Sequence, residues 1–85
     1  MENNLFISIL ICCYNSEKYI SDTLDSILIQ KYVNYEIIIV DDGSEDNTKN
    51  IIEKKLINQE YIYKFQKNKG LSESRNLGFS LCNSN

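Results

Sequence analysis

The chain of 85 residues contains no histidine, no proline and no tryptophan, and it has only three glycines. Without histidine, a histidine base is excluded as a catalytic group, and so are the common zinc sites that include an imidazole ligand. The absence of proline is consistent with helices and strands that follow each other closely, because proline interrupts both. Any proton transfer by this chain would therefore use other side chains.

Cysteine is also scarce, with Cys12, Cys13 and Cys82 as its three occurrences. An odd number, two adjacent residues and no CxxC spacing argue against a disulfide framework and against a cysteine zinc site. We expect free thiols that are buried and inert, since unpaired cysteine usually behaves as a small hydrophobic residue.

The formal net charge of -3 leaves no broad basic surface for nucleic acid or anionic lipid. A hydrophobic content of 42% and a charged content of 25% are those of an ordinary small folded domain. No apolar run approaches the roughly 20 residues of a membrane-spanning helix, and the amino terminus has no basic leader. We expect a cytoplasmic location, with membrane association left open for a longer protein.

Three apolar segments have the character of strands, namely Leu5–Cys13, Tyr35–Asp41 and Tyr61–Phe65. The second contains four consecutive apolar residues, Ile37 to Val40, which are mostly β-branched and do not alternate with polar residues. Such a run is typical of a strand that is buried on both faces of a parallel sheet.

Segments with helical periodicity follow each strand. The first helix is expected to be capped by Asn15 or Ser16 and to end near Gln30, before a turn around Val33 and Asn34. Its apolar face comprises Ile20, Leu24, Ile27, Leu28 and the stem of Lys31. The second is expected to be capped by Asp46 or Asn47 and to carry Ile51, Ile52, Leu56 and Ile57. The third is expected to be capped by Ser72 and to carry Leu77 and Leu81.

This order predicts an α/β fold, a Rossmann-like βαβαβα unit with a three-stranded parallel sheet and helices on both faces. A sheet of three strands leaves an edge open, and an open edge can pair with another chain. We therefore expect the start of a longer protein, and self-association through the open edge is an alternative.

Asp41 and Asp42 end the second strand, where open parallel sheets bind their ligands. Since side chains alternate along a strand, one acid should point toward the sheet and the other into the crevice. If the first two strands are neighbours, Tyr14 lies beside Asp42, where it could stack on a base while the carboxylate accepts from the edge of that base. Alternatively, the acids only end the strand and favour the amino end of the second helix.

Residues Asn68 to Asn76 combine a glycine turn, a helix start and Arg75. They could favour a phosphate, but Glu73 opposes this, and Arg75 could equally pair with Asp41 or Asp42. The phosphate-binding signatures GxGxxG and GxxxxGK[ST] are absent, and so is any pair of acids separated by one residue.

A resemblance to the family 2 glycosyltransferases, which use nucleotide sugars and have the GT-A fold, is carried by FISILICCYNSEKYISDTLDSILIQKYVNYEIIIVDDGSEDNT and NKGLSESRNLGFSL. The resemblance implies nucleotide-binding residues at Cys12, Tyr14, Asp41, Asp42, Asn68, Gly70 and Arg75. Within that set, the resemblance implies that Asp42 hydrogen-bonds the base, with Asp41 beside it. It also implies that Arg75 connects the third helix to the site. Cys12 departs from the usual threonine or proline, and Ser74 replaces a frequent alanine.

Family members continue into a DxD motif that holds a divalent metal, Mg or Mn, and then into a part with a catalytic carboxylate. Neither lies in this chain, so we expect no catalytic residue and no metal ligand here. The resemblance implies that residues 1–85 are the amino-terminal nucleotide-binding half of a glycosyltransferase domain, truncated before the DxD motif. Such a half would bind a nucleotide sugar, UDP-linked, and would be inactive alone.

Two other classes compete with this interpretation. A signalling receiver module also presents an acidic pair, but at the end of its first strand, and its phosphate-accepting aspartate would end a later strand where this chain has Gln66 and Lys67. A non-catalytic remnant or interaction fragment is the second alternative.

Overall fold

The computed structural model describes residues 5–30 and 34–83. Strands and helices alternate along the chain, in the order β1 (Ile7–Cys13), α1 (Ile20–Leu28), β2 (Tyr35–Asp41), α2 (Thr48–Lys55), β3 (Ile62–Phe65) and α3 (Leu71–Leu81). The predicted α/β class and the βαβαβα order are confirmed. None of the helices in the described ranges is long and apolar enough to cross a membrane.

The three strands form one parallel sheet in the order β1-β2-β3, so that β2 is central. Cys13 at the end of β1 pairs with Asp41 at the end of β2, and Asp41 pairs in turn with Phe65 at the end of β3. The carboxyl ends of all three strands therefore meet at one edge of the sheet.

Both faces of β2 are covered, which explains its unbroken apolar sequence. Ile37 and Ile39 belong to the hydrophobic cluster formed with α1 and α2, whose central members are Leu24 and Ile52. Ile38 and Val40 point to the opposite face because side chains alternate along a strand, and α3 packs there against β1 and β2. All four residues of this run are at most 1% exposed.

Helix α3 approaches the sheet closely because its inner face is made of small residues. Ser74 and Gly78 are its buried positions, whereas Leu77 and Leu81 are half-buried. A Cβ atom on Gly78 would lie 2.3 Å from Cδ1 of Leu10 on β1. The periodicity of the leucines therefore predicted the helix but not the residues that contact the sheet.

Two strands are shorter than predicted, whereas Tyr35–Asp41 has the predicted bounds. Pairing between β1 and β2 begins at Ile7 and Tyr35, so Leu5 and Phe6 extend past it and are 66% and 41% exposed. Strand β3 begins at Ile62, one residue after the predicted start.

The start of α1 differs most from the prediction, because neither Asn15 nor Ser16 caps it. The helix begins at Ile20, after a turn in which the carbonyl of Ser16 accepts hydrogen bonds from the N–H groups of Tyr19 and Ile20. It ends at Leu28 rather than near Gln30. The predicted contribution of Lys31 and the predicted turn at Val33 lie outside the described residues.

The other two helices also differ at their ends. Helix α2 follows Asn47, whose side chain makes no capping hydrogen bond, whereas Oδ1 of Asp46 accepts from the N–H of Thr48. The helix ends at Lys55, and Leu56 leaves the helical conformation. Ile57 consequently turns outward and is 77% exposed, so its predicted place on the apolar face is wrong. Helix α3 begins directly after Gly70, two residues before the position that a cap at Ser72 requires.

Candidate functional site

The carboxyl edge of the sheet brings the ends of β1 and β2 together. The N–H of Asp42 donates to the carbonyl of Cys13 at 2.9 Å, which extends the pairing of the two strands by one step. Tyr14 and Asp42 therefore leave the sheet side by side, as the adjacency of the two strands predicts.

Asp41 points to the side of α1 and α2 and is 1% exposed. Its Oδ1 accepts from the N–H of Ser44 at 2.9 Å, and its Oδ2 accepts from the hydroxyl of Tyr63 at 2.6 Å. Burial and this bond to Asp41 raise the pKa of Tyr63 far above its usual value. Asp41 closes the turn after β2 and does not face the crevice.

Asp42 points to the side of α3 and is 7% exposed. Its Oδ1 accepts from Nε2 of Gln66 at 2.9 Å and from the N–H of Lys69 at 2.6 Å. Its Oδ2 accepts from the N–H of Gly70 at 2.8 Å. Burial raises the pKa of Asp42, but these three hydrogen bonds outweigh it, and the pKa is lowered overall. Asp42 is therefore an ionised carboxylate.

A cavity of about 250 Å³ opens beside Asp42. It is lined by Cys12, Cys13, Tyr14, Asp42, Leu71 and Ser74. The Tyr14 side of the cavity is open, since that residue is 47% exposed. We call this space the Tyr14 cavity.

Cys12 lines the Tyr14 cavity and lies close enough to Arg75 for the two groups to interact electrostatically. Burial raises the pKa of the Cys12 thiol, and the positive charge of Arg75 opposes that rise. Arg75 itself is exposed and forms no salt bridge within residues 5–30 and 34–83, where Lys55 and Asp25 form the one ion pair. The alternative that Arg75 pairs with Asp41 or Asp42 is therefore wrong for this structure.

The loop between β3 and α3 wraps around Asp42. Asn68 and Gly70 both have positive φ angles, 39° and 97°. Gly70 contributes its N–H to Asp42, whereas Asn68 lines a second cavity of about 270 Å³, together with Tyr14 and Phe65. Cys12, Tyr14 and Asp42 thus share the Tyr14 cavity, whereas Asn68 and Asp41 do not line it. Gly70 contacts the site through its hydrogen bond to Asp42, and Arg75 through its electrostatic effect on Cys12.

Gln66 and Ser74 belong to the site although the sequence did not single them out as ligand-facing. Nε2 of Gln66 donates to Oγ of Ser74 and to Asp42, each at 2.9 Å. Ser74, which stands where the family frequently has alanine, contributes its hydroxyl to the network that supports the carboxylate. The position of Gln66 in the sequence could have indicated this role, because Gln66 follows β3 at the same edge of the sheet where Asp42 follows β2.

The Tyr14 cavity is not the largest one in the described part of the chain. A cavity of about 500 Å³ lies at the opposite edge of the sheet, near Tyr35, Glu36 and Ile62. Open parallel sheets bind their ligands at the carboxyl ends of the strands, so this larger space is not the functional candidate.

The two aspartates do not make a metal site. Their carboxylates point to opposite faces of the sheet, and the described residues contain no group of three side chains suited to hold a metal ion. The divalent metal that is typical of the glycosyltransferases resembled here does not fit this ligand set.

Comparison with known proteins agrees with the geometry. Residues 8–85 match the family described as glycosyl transferase family 2. The chain belongs to this family. It is 42% identical over 80 residues to an uncharacterized glycosyltransferase of Haemophilus influenzae, a match that covers 93% of this chain. It is also 42% identical over 73 residues to the poly-beta-1,6-N-acetyl-D-glucosamine synthase of Staphylococcus aureus, with 85% of this chain covered.

Membership of this family makes the chain part of an enzyme group that transfers sugars. The matched regions are 23% and 18% of the lengths of these two relatives. The chain therefore spans about a fifth of the curated relatives that it matches, and this part contains the strand ends that form the Tyr14 cavity.

Proposed function

We propose that this chain forms the nucleoside-binding part of a glycosyltransferase that takes a UDP-linked sugar and transfers the sugar to an acceptor hydroxyl. One observation carries the proposal, namely that the exposed side chain of Tyr14 and the ionised carboxylate of Asp42 line the same cavity. An aromatic ring and a directional acceptor are the two groups that a nucleobase needs for stacking and for edge recognition.

Asp42 retains room for a ligand although three donors already bind it. A carboxylate offers about four lone-pair sites, and Oδ2 accepts only one hydrogen bond, from Gly70. In the proposed complex this oxygen accepts the imide N–H of the base. Gln66, Lys69 and Gly70 hold the carboxylate in its orientation. The carboxylate therefore does not have to be ordered when the ligand binds.

The protonation state of Asp42 also bears on which base is bound. Because its pKa is lowered, the carboxylate is ionised at neutral pH, where it can accept hydrogen bonds but cannot donate one. Uracil presents an N–H at the corresponding position, whereas cytosine presents an acceptor nitrogen that would face the carboxylate without a proton. We therefore propose that the site favours UDP over CDP.

The residues of this chain bind and orient the nucleoside, and we assign none of them to the transfer step. Departure of a nucleoside diphosphate needs charge stabilisation, and the acceptor hydroxyl needs a base. Because the described residues offer no ligand set for a metal, no part of the transfer is attributed to a metal here. We expect no transferase activity from the 85 residues alone.

We propose a cytoplasmic location for this part of the protein. None of its three cysteines forms a disulfide, and unpaired cysteines are common where thiols are kept reduced.

An NMR titration of the chain with UDP tests the proposal. We expect shifts at the amides of Cys12, Tyr14 and Asp42, and weaker shifts with CDP. Tyr14→Ala should weaken UDP binding about tenfold, because base stacking contributes about 1–3 kcal/mol. Tyr19→Ala removes a tyrosine that is 70% exposed and lies outside the cavity, so it should bind like the wild type. Equal UDP binding by wild type and Tyr14→Ala would overturn the proposal.

The role of Asp42 is tested by the ratio of UDP to CDP affinity in Asp42→Asn. This ratio is informative even if the variant is less stable, because both ligands are measured on the same folded molecules. The asparagine amide can turn either its oxygen or its nitrogen to the base, so we expect the preference for UDP to disappear. A preference equal to that of the wild type would contradict base recognition by Asp42.

A further inference from the structure

The loop after β1 and the loop after β2 are joined by reciprocal hydrogen bonds. The N–H of Asn15 donates to Oγ of Ser44 at 2.8 Å, and the N–H of Glu45 donates to Oδ1 of Asn15 at 2.8 Å. Asn15 thus contacts the second loop through both its backbone and its side chain. We call residues 15–17 and 44–48 together the loop clamp.

The same reciprocal pattern continues along the loop clamp. The N–H of Glu17 donates to Oδ2 of Asp46 at 3.2 Å, and the N–H of Asn47 donates back to Oε1 of Glu17 at 2.9 Å. The N–H of Ser16 donates to Oγ1 of Thr48 at 2.8 Å. The hydroxyl of Thr48 is itself bound to Oδ1 of Asp46. Side chains of one loop therefore satisfy the backbone of the other.

Asn15 also has a backbone conformation that few residues adopt easily. Its φ angle is 48°, in the left-handed region, where asparagine and aspartate are enriched among the residues other than glycine. In this conformation Oδ1 of Asn15 accepts the N–H of Glu45. Asn15 therefore both forms the turn after β1 and binds the loop after β2.

Tyr14 lies between the end of the sheet and the loop clamp. On one side, the carbonyl of Cys13 accepts from the N–H of Asp42; on the other side, Asn15 is bound to Ser44 and Glu45. The Tyr14 hydroxyl forms no hydrogen bond within the described parts of the chain. The position of the ring therefore depends on the backbone that carries it.

We propose that Asn15 is a positioning residue that holds the Tyr14 ring beside the Tyr14 cavity before a nucleotide arrives. The inference rests on the proposed function, in which this ring stacks on the base. A ring that is already in place loses less conformational entropy on binding. The affinity is therefore higher, because the free-energy cost of ordering the ring is avoided. Asn15 itself does not touch the ligand.

Three substitutions separate the two properties of Asn15. Asn15→Asp keeps an acceptor oxygen and the left-handed preference, Asn15→Gly keeps only access to the conformation, and Asn15→Ala loses both. We expect Asn15→Ala and Asn15→Gly to weaken UDP binding about fivefold, the effect of ordering one further side chain on binding. Asn15→Asp should restore most of the affinity. Asn58→Ala, at an exposed asparagine before β3, is the matched control.

A measurement without ligand tests the positioning directly. The heteronuclear NOE of the Tyr14 amide reports motion on the picosecond to nanosecond scale. We expect it to fall in Asn15→Ala and Asn15→Gly and to stay near the wild-type value in Asn15→Asp and Asn58→Ala. Circular dichroism checks that each variant keeps its secondary structure. An unchanged NOE in Asn15→Ala would overturn the inference.

A double-substitution cycle separates positioning from a general structural effect. If Asn15 acts through the ring, Asn15→Ala should have no further effect on UDP binding in a chain that already carries Tyr14→Ala. A full additional fivefold loss would overturn the inference while leaving the proposed function intact. If Tyr14→Ala alone leaves UDP binding unchanged, the proposed function fails, and the NOE still decides whether Asn15 orders this segment.

Discussion

A Cβ atom placed on Gly43 would lie 2.9 Å from the backbone nitrogen of Asn68. The turn after β2 therefore passes directly against the loop after β3, with no space for a side chain between them. Gly43 also has a φ angle of 91°, and Gly70 has a similar angle of 97° but open space around its Cβ position. The two glycines share a conformational requirement and differ in steric surroundings.

This difference predicts unequal effects of alanine. Gly70→Ala should lower the free energy of unfolding by about 2 kcal/mol, because its φ of 97° and ψ of 165° lie in a region that is essentially restricted to glycine. Gly43→Ala should lower it by about 3 kcal/mol, because the contact with the Asn68 backbone adds an overpacking cost. Urea unfolding followed by circular dichroism measures both variants. Equal losses would mean that the two loops are not in close contact in solution.

Asp42 should contribute to a loss of stability in acid. The pKa of Asp42 is lowered in the folded chain, so the ionised carboxylate stabilises the fold at pH values well above its ordinary pKa of 3.8. This stabilisation is lost as the pH falls through 3.8 and then through the lower pKa of the folded state. Asp42→Asn should be less stable at neutral pH, because its amide group would face N–H donors. Its stability should also fall less steeply with acid than that of the wild type.

Thermal unfolding at a series of pH values measures this slope. Some slope should remain in Asp42→Asn, since Glu36 and Asp46 also have lowered pKa values. Glu60→Gln removes an exposed charge and serves as the control, with the wild-type slope expected. A slope in Asp42→Asn as steep as in the control would contradict the hydrogen bonds assigned to Asp42.

Tyr63→Phe should destabilise the chain by about 1–3 kcal/mol, because it leaves a buried carboxylate oxygen without a donor. That oxygen is Oδ2 of Asp41, and the remaining bond of Asp41 comes from Ser44. Tyr61→Phe is the matched control, and we expect a change within about 0.5 kcal/mol. Equal effects of the two variants in urea unfolding would show that the Tyr63 hydroxyl is not buried against Asp41.

The same hydroxyl predicts a change at alkaline pH. The pKa of Tyr63 is raised above its ordinary value of 10.0, so its stabilising effect is present below that value and is lost as the pH rises toward the folded-state pKa. In an ultraviolet titration, one of the six tyrosines should ionise only when the chain unfolds. Tyr63→Phe should lack this late step, and a late step that persists in the variant would contradict the assignment.

Cys12 provides a chemical test of the Tyr14 cavity. Cys13 is 7% exposed and its pKa is raised to about 12 by burial and the nearby Asp41 charge, so it should resist iodoacetamide. Cys12 and Cys82 are only half-buried, so the prediction of buried, inert thiols is wrong for these two, and they should react. UDP should slow the modification of Cys12 and leave Cys82 unchanged, as measured by mass spectrometry of the peptides. Equal protection of both thiols, or of neither, would contradict binding in this cavity.

Several features of the fold were predictable from local patterns. The bounds of β2 followed from a β-branched run that ends in two aspartates, because a strand buried on both faces requires unbroken apolar sequence. The meeting of Tyr14 and Asp42 followed from one further step, the adjacency of parallel strands that are consecutive in the chain. The resemblance to family 2 glycosyltransferases then directed attention to both residues.

The partners of Asp42 were not predictable in this way. Gln66, Lys69 and Gly70 lie 24, 27 and 28 residues further along the chain. Nothing in the local sequence around Asp42 encodes these distances, since they depend on how the loop after β3 passes over the sheet. Strand alternation therefore predicted that only one carboxylate of the pair faces the crevice, but it could not identify the groups that hold that carboxylate in place.

Asn15 shows most directly which features the sequence predicts and which ones depend on the tertiary structure. The sequence by itself determined that a polar break follows β1, and that α/β alternation brings the strand ends to one edge. Only the tertiary structure decided that the Asn15 side chain accepts from Glu45, 30 residues away, instead of capping α1. The physical reason is that an amide oxygen binds whichever N–H lies within reach, and folding determines which N–H that is.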